Sequence, residues 1–199
     1  MHEYNGKYYL FGSCKAENKC RGTHIFVCDT PDGTFVPVSD IPATPLDWEC
    51  LDGTLYVEDG VPYLVFSHEW LQVQDGEICA VRLKDDLSAS VGEPTVLFRA
   101  SQEPMTVGNN GNYVTDGPFL FREEGKLRMI WSSRAGGHYA VLLAESESGS
   151  VLGPWKHFGN RFAFDGGHAM LFYTLEGVRM ISLHSPNAAG KERAVFFPF

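Results

Sequence analysis

Long apolar runs, helical periodicity and clustered positive charge are all missing from this 199-residue sequence. Without a stretch of about 18 apolar residues, no membrane-spanning helix is expected. No segment of ten or more residues keeps its apolar side chains at helical spacing, so helices should be few and short. Sixteen Lys and Arg stand against 25 Asp and Glu, a net charge of −9. Such a surface repels polyanions, which argues against nucleic acid and acidic membranes as partners. The opening residues, Met1-His2-Glu3-Tyr4-Asn5, carry neither an apolar core nor a cleavage site, so no secretory signal is read there. Cysteine is sparse and odd in number, at positions 14, 20, 28, 50 and 79. That pattern favours free thiols and a cytoplasmic chain. Cys14 and Cys20 flank a polar loop that suits half a zinc site or a small disulfide, but nothing supplies the other half of a zinc site. Gly-rich phosphate loops, Gly-x-Ser-x-Gly elbows and His-Glu-x-x-His helices are absent as well.

What the chain does have is 44% apolar residues, 13% aromatics and a repeat. The composition predicts one globular domain over residues 1–199. A turn glycine is followed by an aromatic-rich strand four times: Gly6 before Tyr8–Phe11, Gly60 before Tyr63–Phe66, Gly125 before Leu127–Trp131, and Gly177 before Arg179–Leu183. An apolar run, an acidic-Gly or Asn-Gly turn and a returning strand make a β-hairpin signature. Two weaker strands follow each of the first three hairpins. They are 23–27 and 34–38, 77–81 and 93–98, and 139–143 and 153–156. Four strands per unit at periods of 50 to 65 residues predict an all-β propeller of antiparallel four-stranded blades. A β-sandwich also has many short strands but leaves the long period unexplained. The last unit is incomplete, with only Ala194–Phe197 left as its third strand. An open ring leaves blade edges exposed, which predicts pairing with another copy of the chain.

Counting back eight or nine residues from the last three glycines reaches Asp52, Asp116 and His168. In a propeller the first strand of each blade lines the central channel, so these three should converge at one mouth. Two carboxylates and an imidazole on a rigid scaffold suit general acid-base chemistry. Asp-Gly also makes a plain turn before a strand, and the shared register is what favours the chemical reading. Glu69 and Trp70 close a second strand near the same mouth, as a proton donor and a stacking face or simply as a strand end. Arg134, His138 and Lys15 follow second strands and reach toward it, or serve as solvated loops. His68 and His184 close second strands in the same register.

Several phrases resemble glycoside hydrolase family 43: Arg21-Gly22-Thr23-His24-Ile25-Phe26, Trp48-Glu49-Cys50-Leu51-Asp52-Gly53, Ser67-His68-Glu69-Trp70, Thr115-Asp116-Gly117-Pro118, Gly166-Gly167-His168 and Leu183-His184-Ser185-Pro186-Asn187. Their order and spacing span nearly the whole chain. The resemblance implies a five-bladed propeller that cleaves arabinose- or xylose-containing glycans with inversion, using an Asp base, a tuning Asp and a Glu acid. By motif Asp52 matches the tuning Asp. Asp116 holds the acid's position one methylene short, which leaves Glu69 as an alternative donor. His168 matches an axial His beside a water or an ion such as calcium; no other cofactor is implied. The first repeat matches the family's second blade. The chain therefore resembles four of five blades, and the base has no counterpart in it. An inactive carbohydrate-binding propeller is the alternative expectation, with Trp70, His168, Arg134 and His68 as sugar contacts.

Overall fold

The computed structural model describes residues 1–160 and 165–199. Its strands form four separate antiparallel sheets that follow one another along the chain. The first blade is β1 (His2–Tyr4), β2 (Lys7–Cys14), β3 (Gly22–Cys28) and β4 (Val36–Pro37). The second is β5 (Cys50–Glu58), β6 (Val61–His68), β7 (Glu77–Leu83) and β8 (Ser90–Arg99). The third is β9 (Asp116–Glu123), β10 (Lys126–Ala135), β11 (His138–Ser146) and β12 (Trp155–Asn160). The last blade has three strands, β13 (Gly167–Tyr173), β14 (Arg179–Ser185) and β15 (Arg193–Pro198). Each sheet pairs strands in sequence order, and β5 packs on β9 and β9 on β13, so the first strands stand side by side around an axis. This is the propeller expected from the repeat. Among the described residues the helices are a single turn, α1 (Trp70–Val73), and the 3₁₀ turn Ala100–Gln102. Neither is long and apolar enough to cross a membrane.

Turn chemistry makes the hairpins. Asn5-Gly6, Asp59-Gly60 and Glu124-Gly125 all have positive φ at both positions, the two-residue geometry whose twist matches paired strands. Packing then holds blade to blade. Leu64, Phe66 and Cys79 lie with Tyr9 and Ile25 between the first two blades, and Val65, Ile78 and Phe98 meet Met129 and Trp131 between the next two. Ile130 and Val141 meet Leu171 and Ile181 between the third and the last. Alternate residues of β6 thus face opposite neighbours, as the period-two geometry of a strand requires. Cys50 and Cys79 belong to this core, and burial pushes the Cys50 thiol up to about 12. All five cysteines are free thiols.

One long connection, 103–115, crosses from the second blade to the third, and buried side chains fix it. Glu103 is 2% exposed, and its carboxylate accepts the N–H groups of Met105 and of Gly159 on β12 at 2.9 Å each. Further along, Asn109 and Asn112 exchange both backbone hydrogen bonds around Asn110 and Gly111, which have φ of 51° and 81°. The Tyr113 ring covers Gly108 so closely that a Cβ there would lie 2.7 Å from it. The Tyr113 N–H donates to the Gln74 carbonyl, and Val107 donates to the carbonyl of Arg134. The connection is a built wall, tied to three other segments.

Candidate active site

The same irregularity opens the first strand of three blades. Asp52-Gly53 together face Phe66, Gly117-Pro118 face Trp131, and His168-Ala169 face Leu183, because the ladder register jumps by one residue at each place. Each pair is a β-bulge whose first residue is left-handed, with φ of 58° at Asp52, 51° at Gly117 and 55° at His168. The structural equivalents are therefore Asp52, Gly117 and His168. Asp116 lies one position earlier, level with Leu51 and Gly167. This corrects the register read from the glycine spacing, in which Asp116 matched Asp52: counting along the chain cannot see where the extra residue of a bulge falls.

The three bulges are clasped to one another. The Asp52 N–H donates to Ser13 Oγ at 2.8 Å, and the His168 N–H donates to Ser132 Oγ at 2.8 Å. The Gly117 N–H instead donates to the Asp52 carboxylate at 3.0 Å. Ser67, the matching serine of β6, is buried with no partner for its hydroxyl among the described residues. The same Asp52 oxygen lies 3.7 Å from His168 Nδ1, a charge contact rather than a hydrogen bond. Gly117 has to be glycine, since a Cβ would stand 2.9 Å from the imidazole. Burial raises the pKa of Asp52, against the pull of His168, the Gly117 N–H and Arg21.

Asp116 is built differently. Its carboxylate accepts a hydrogen bond from the Tyr139 hydroxyl at 2.7 Å. Tyr139 leans on Gly167, where a Cβ would meet its ring at 2.4 Å, and stacks on His184 at 5.6 Å. Burial, then repulsion from Asp52, pushes Asp116 up to about 6, although the Tyr139 bond opposes the shift. Burial and the same carboxylate push the Tyr139 hydroxyl well above its ordinary range, so Tyr139 keeps its proton and remains a donor. A carboxyl in that state exchanges a proton near neutrality, as a general acid must.

The two aspartates open onto different cavities. Asp52, Gly117 and His168 line an axial one of about 350 Å³, shared with Leu10 and Phe11 of the first blade. Asp116 and Tyr139 line a second, of about 360 Å³, with Trp70, Arg134, Asn112 and Asn187. Trp70 and Arg134 therefore line the same cavity as Asp116. Asp52 and Asp116 couple electrostatically, yet only Asp116 faces that second cavity.

Other expectations meet different surroundings. Glu69 is buried and its carboxylate takes the Arg21 guanidinium at 2.5 Å, so it would have to break an ion pair to serve as donor. His68 is buried, stacked on Trp48 at 4.1 Å, with its nitrogens on Glu77 at 3.0 Å and Gln72 at 2.9 Å. It braces α1 with both ring nitrogens engaged, as a satisfied strand-end histidine would. His184 pairs with Asn187 at 3.0 Å, and Lys15 pairs with Glu49. Among the described residues no group of three or more His, Cys, Asp and Glu side chains is placed to hold a metal. His168 beside Asp52 does not by itself fit a protein-built ion site. Two features went unread in the sequence. One is Tyr139, which looks like the first residue of an ordinary strand. The other is the asparagine turn 109–112, whose Asn-Gly pair is a readable turn signal.

The sequence model for "Glycosyl hydrolases family 43" matches residues 1–195. Among solved structures, an endo-arabinase from Bacteroides thetaiotaomicron VPI-5482 superposes with a TM-score of 0.93 at 45% identity, over 100% of this chain and 72% of that one. A thermostable family-43 glycoside hydrolase gives 0.83 at 20% identity, over 96% and 67%. An exo-1,5-alpha-L-arabinanase from a bovine ruminal metagenomic library gives 0.70 at 19%, over 99% and 72%. The last two likenesses bear on the fold alone. No curated protein sequence matches the chain.

Proposed function

We propose, for a chain that belongs to glycosyl hydrolases family 43 and is a glycoside hydrolase by that membership, that it cleaves arabinose-containing glycans by inversion with Asp116 as the proton donor. The observation that carries the reading is the Tyr139-bonded Asp116 carboxyl, pushed up to about 6 and facing a polar cavity with Trp70 and Arg134. Asp52 acts through charge: ionised, it raises Asp116 and keeps the proton on the acid until the leaving oxygen takes it. Inversion needs a second carboxylate about 6.5 to 9.5 Å away with a water between. Asp52 is engaged by the Gly117 N–H and opens onto the axial cavity, so we assign the base to a carboxylate outside residues 1–199, on a fifth blade.

The test compares this chain with an N-terminally extended form on aryl α-L-arabinofuranosides, aryl β-D-xylosides and linear arabinan. Turnover that appears with the extension supports the proposal. An extended form that binds arabino-oligosaccharides without cutting them overturns it in favour of a carbohydrate-binding propeller, a second reading favoured by the engagement of Asp52 with the Gly117 N–H.

A further inference from the structure

Most arginines that bear on the mouth or on blade packing are neutralised. Arg21 pairs with Glu69, Arg99 with Glu77, Arg128 with Glu123 and Glu145, and Arg179 with Glu123. Arg134 stands apart: it lines the mouth cavity, is exposed, and pairs with no carboxylate among the described residues. Its backbone is nonetheless fixed on both sides, by the ladder to Tyr139 and by the Val107 N–H on its carbonyl. Facing it in the same cavity are Asn109, Asn110 and Asn112 of the braced turn, with Asn187 and the Trp70 indole. The charges bearing most on Asp116 come from Asp52, His168 and His184, so Arg134 is not what tunes the acid.

This wall offers more than a neutral sugar needs. Asparagine amides both donate and accept, so they already serve hydroxyl groups. A guanidinium only donates, in a planar fork that matches a carboxylate with two parallel bonds. In a chain of net charge −9, an uncompensated guanidinium in a concave polar pocket selects a local anion. Resting on the glycosidase reading, we propose that Arg134 makes the mouth specific for acidic glycans, in which a uronic acid carboxylate lies close to the cleaved pentose. The Trp70 ring offers a stacking face for the sugar, and the asparagine turn takes its hydroxyls.

Titration calorimetry at neutral pH tests this with three probes: glucuronic acid-substituted xylotetraose, the same oligosaccharide after carboxyl reduction, and linear arabinan. The acidic tetraose should bind about tenfold or more tighter than its reduced form, the size of a charge-assisted hydrogen bond. Raising salt should shrink the gap, Arg134→Gln should abolish it, and Arg134→Lys should keep part of it. Equal binding of the two tetraoses, or an Arg134→Gln change that weakens both alike, overturns the proposal and leaves the glycosidase reading standing. Binding of arabinan alone does the same. If no probe binds at all, the glycosidase reading falls and the acidic specificity with it.

Discussion

The amide of Gly117 donates to the Asp52 carboxylate at 3.0 Å, so one blade's bulge closes on a carboxylate of its neighbour. Two features make that contact depend on glycine. Gly117 is left-handed with φ of 51°, and its α-carbon faces the His168 imidazole.

Gly117→Ala therefore meets both a disfavoured backbone and a side chain 2.9 Å from the new methyl. We expect a loss of about 1–3 kcal/mol in denaturant unfolding. Wild-type stability in this variant would mean that the clasp is looser than described.

The serines seven residues after the turn glycines give a graded test. Ser132→Ala strips the acceptor from a part-buried bulge amide, at a cost of about 1–3 kcal/mol, and Ser13→Ala does so at an exposed one, at about 0.5–1.5 kcal/mol. Ser67→Ala removes a buried hydroxyl that has no partner among the described residues, so it should cost less than either, as read from the same urea curves. Equal losses at all three positions would contradict the asymmetry introduced by Asp52.

Asp116 links stability to pH. Its pKa is raised from 3.8 to about 6 in the folded chain, so the native state holds that proton more tightly than the unfolded state does. This contribution is complete below about pH 4 and is lost as pH rises through about 6. At about 1.4 kcal/mol per pH unit it amounts to roughly 3 kcal/mol as an upper bound. Asp116→Asn keeps an acceptor for Tyr139 and cannot ionise. The variant should melt above wild type at pH 8 and level with it at pH 4. An advantage independent of pH would remove the raised carboxyl from the account.

Strands and turns were legible because both rest on local chemistry: Asn5-Gly6, Asp59-Gly60 and Glu124-Gly125 can be read as hairpins without any partner in view. The convergence of Asp52 and His168 followed from the repeat alone. Glycine spacing sets Asp116 level with Asp52, where the structure has Gly117, since a bulge adds a residue without leaving a mark in spacing. His68 looked like a pocket residue because strand position says nothing about which neighbour closes over a side chain, here Trp48. The asparagine wall depends on Glu103 reaching Gly159, a contact 56 residues away in sequence.

That anchor can be cut separately. Glu103→Ala leaves the Met105 and Gly159 amides without their acceptor, and should cost about 1–3 kcal/mol for each group left unsatisfied. Hydrogen exchange should quicken across 104–113, and glycan affinity should fall with it. Faster exchange spread evenly over all blades would instead point to a purely global role.

The most direct test of Asp116 as acid uses the chain as it stands, with azide as a nucleophile that needs no base in place of water. On phenyl α-L-arabinofuranoside, whose phenoxide is too basic to leave readily without a proton, azide attacks the anomeric carbon, the phenolic oxygen leaves with a proton from Asp116 as phenol, and the product is the arabinosyl azide of inverted configuration. The account expects azide to raise the rate and Asp116→Asn to lose most of the gain. Arabinan binding with no turnover in azide, or a gain that survives Asp116→Asn unchanged, would contradict it.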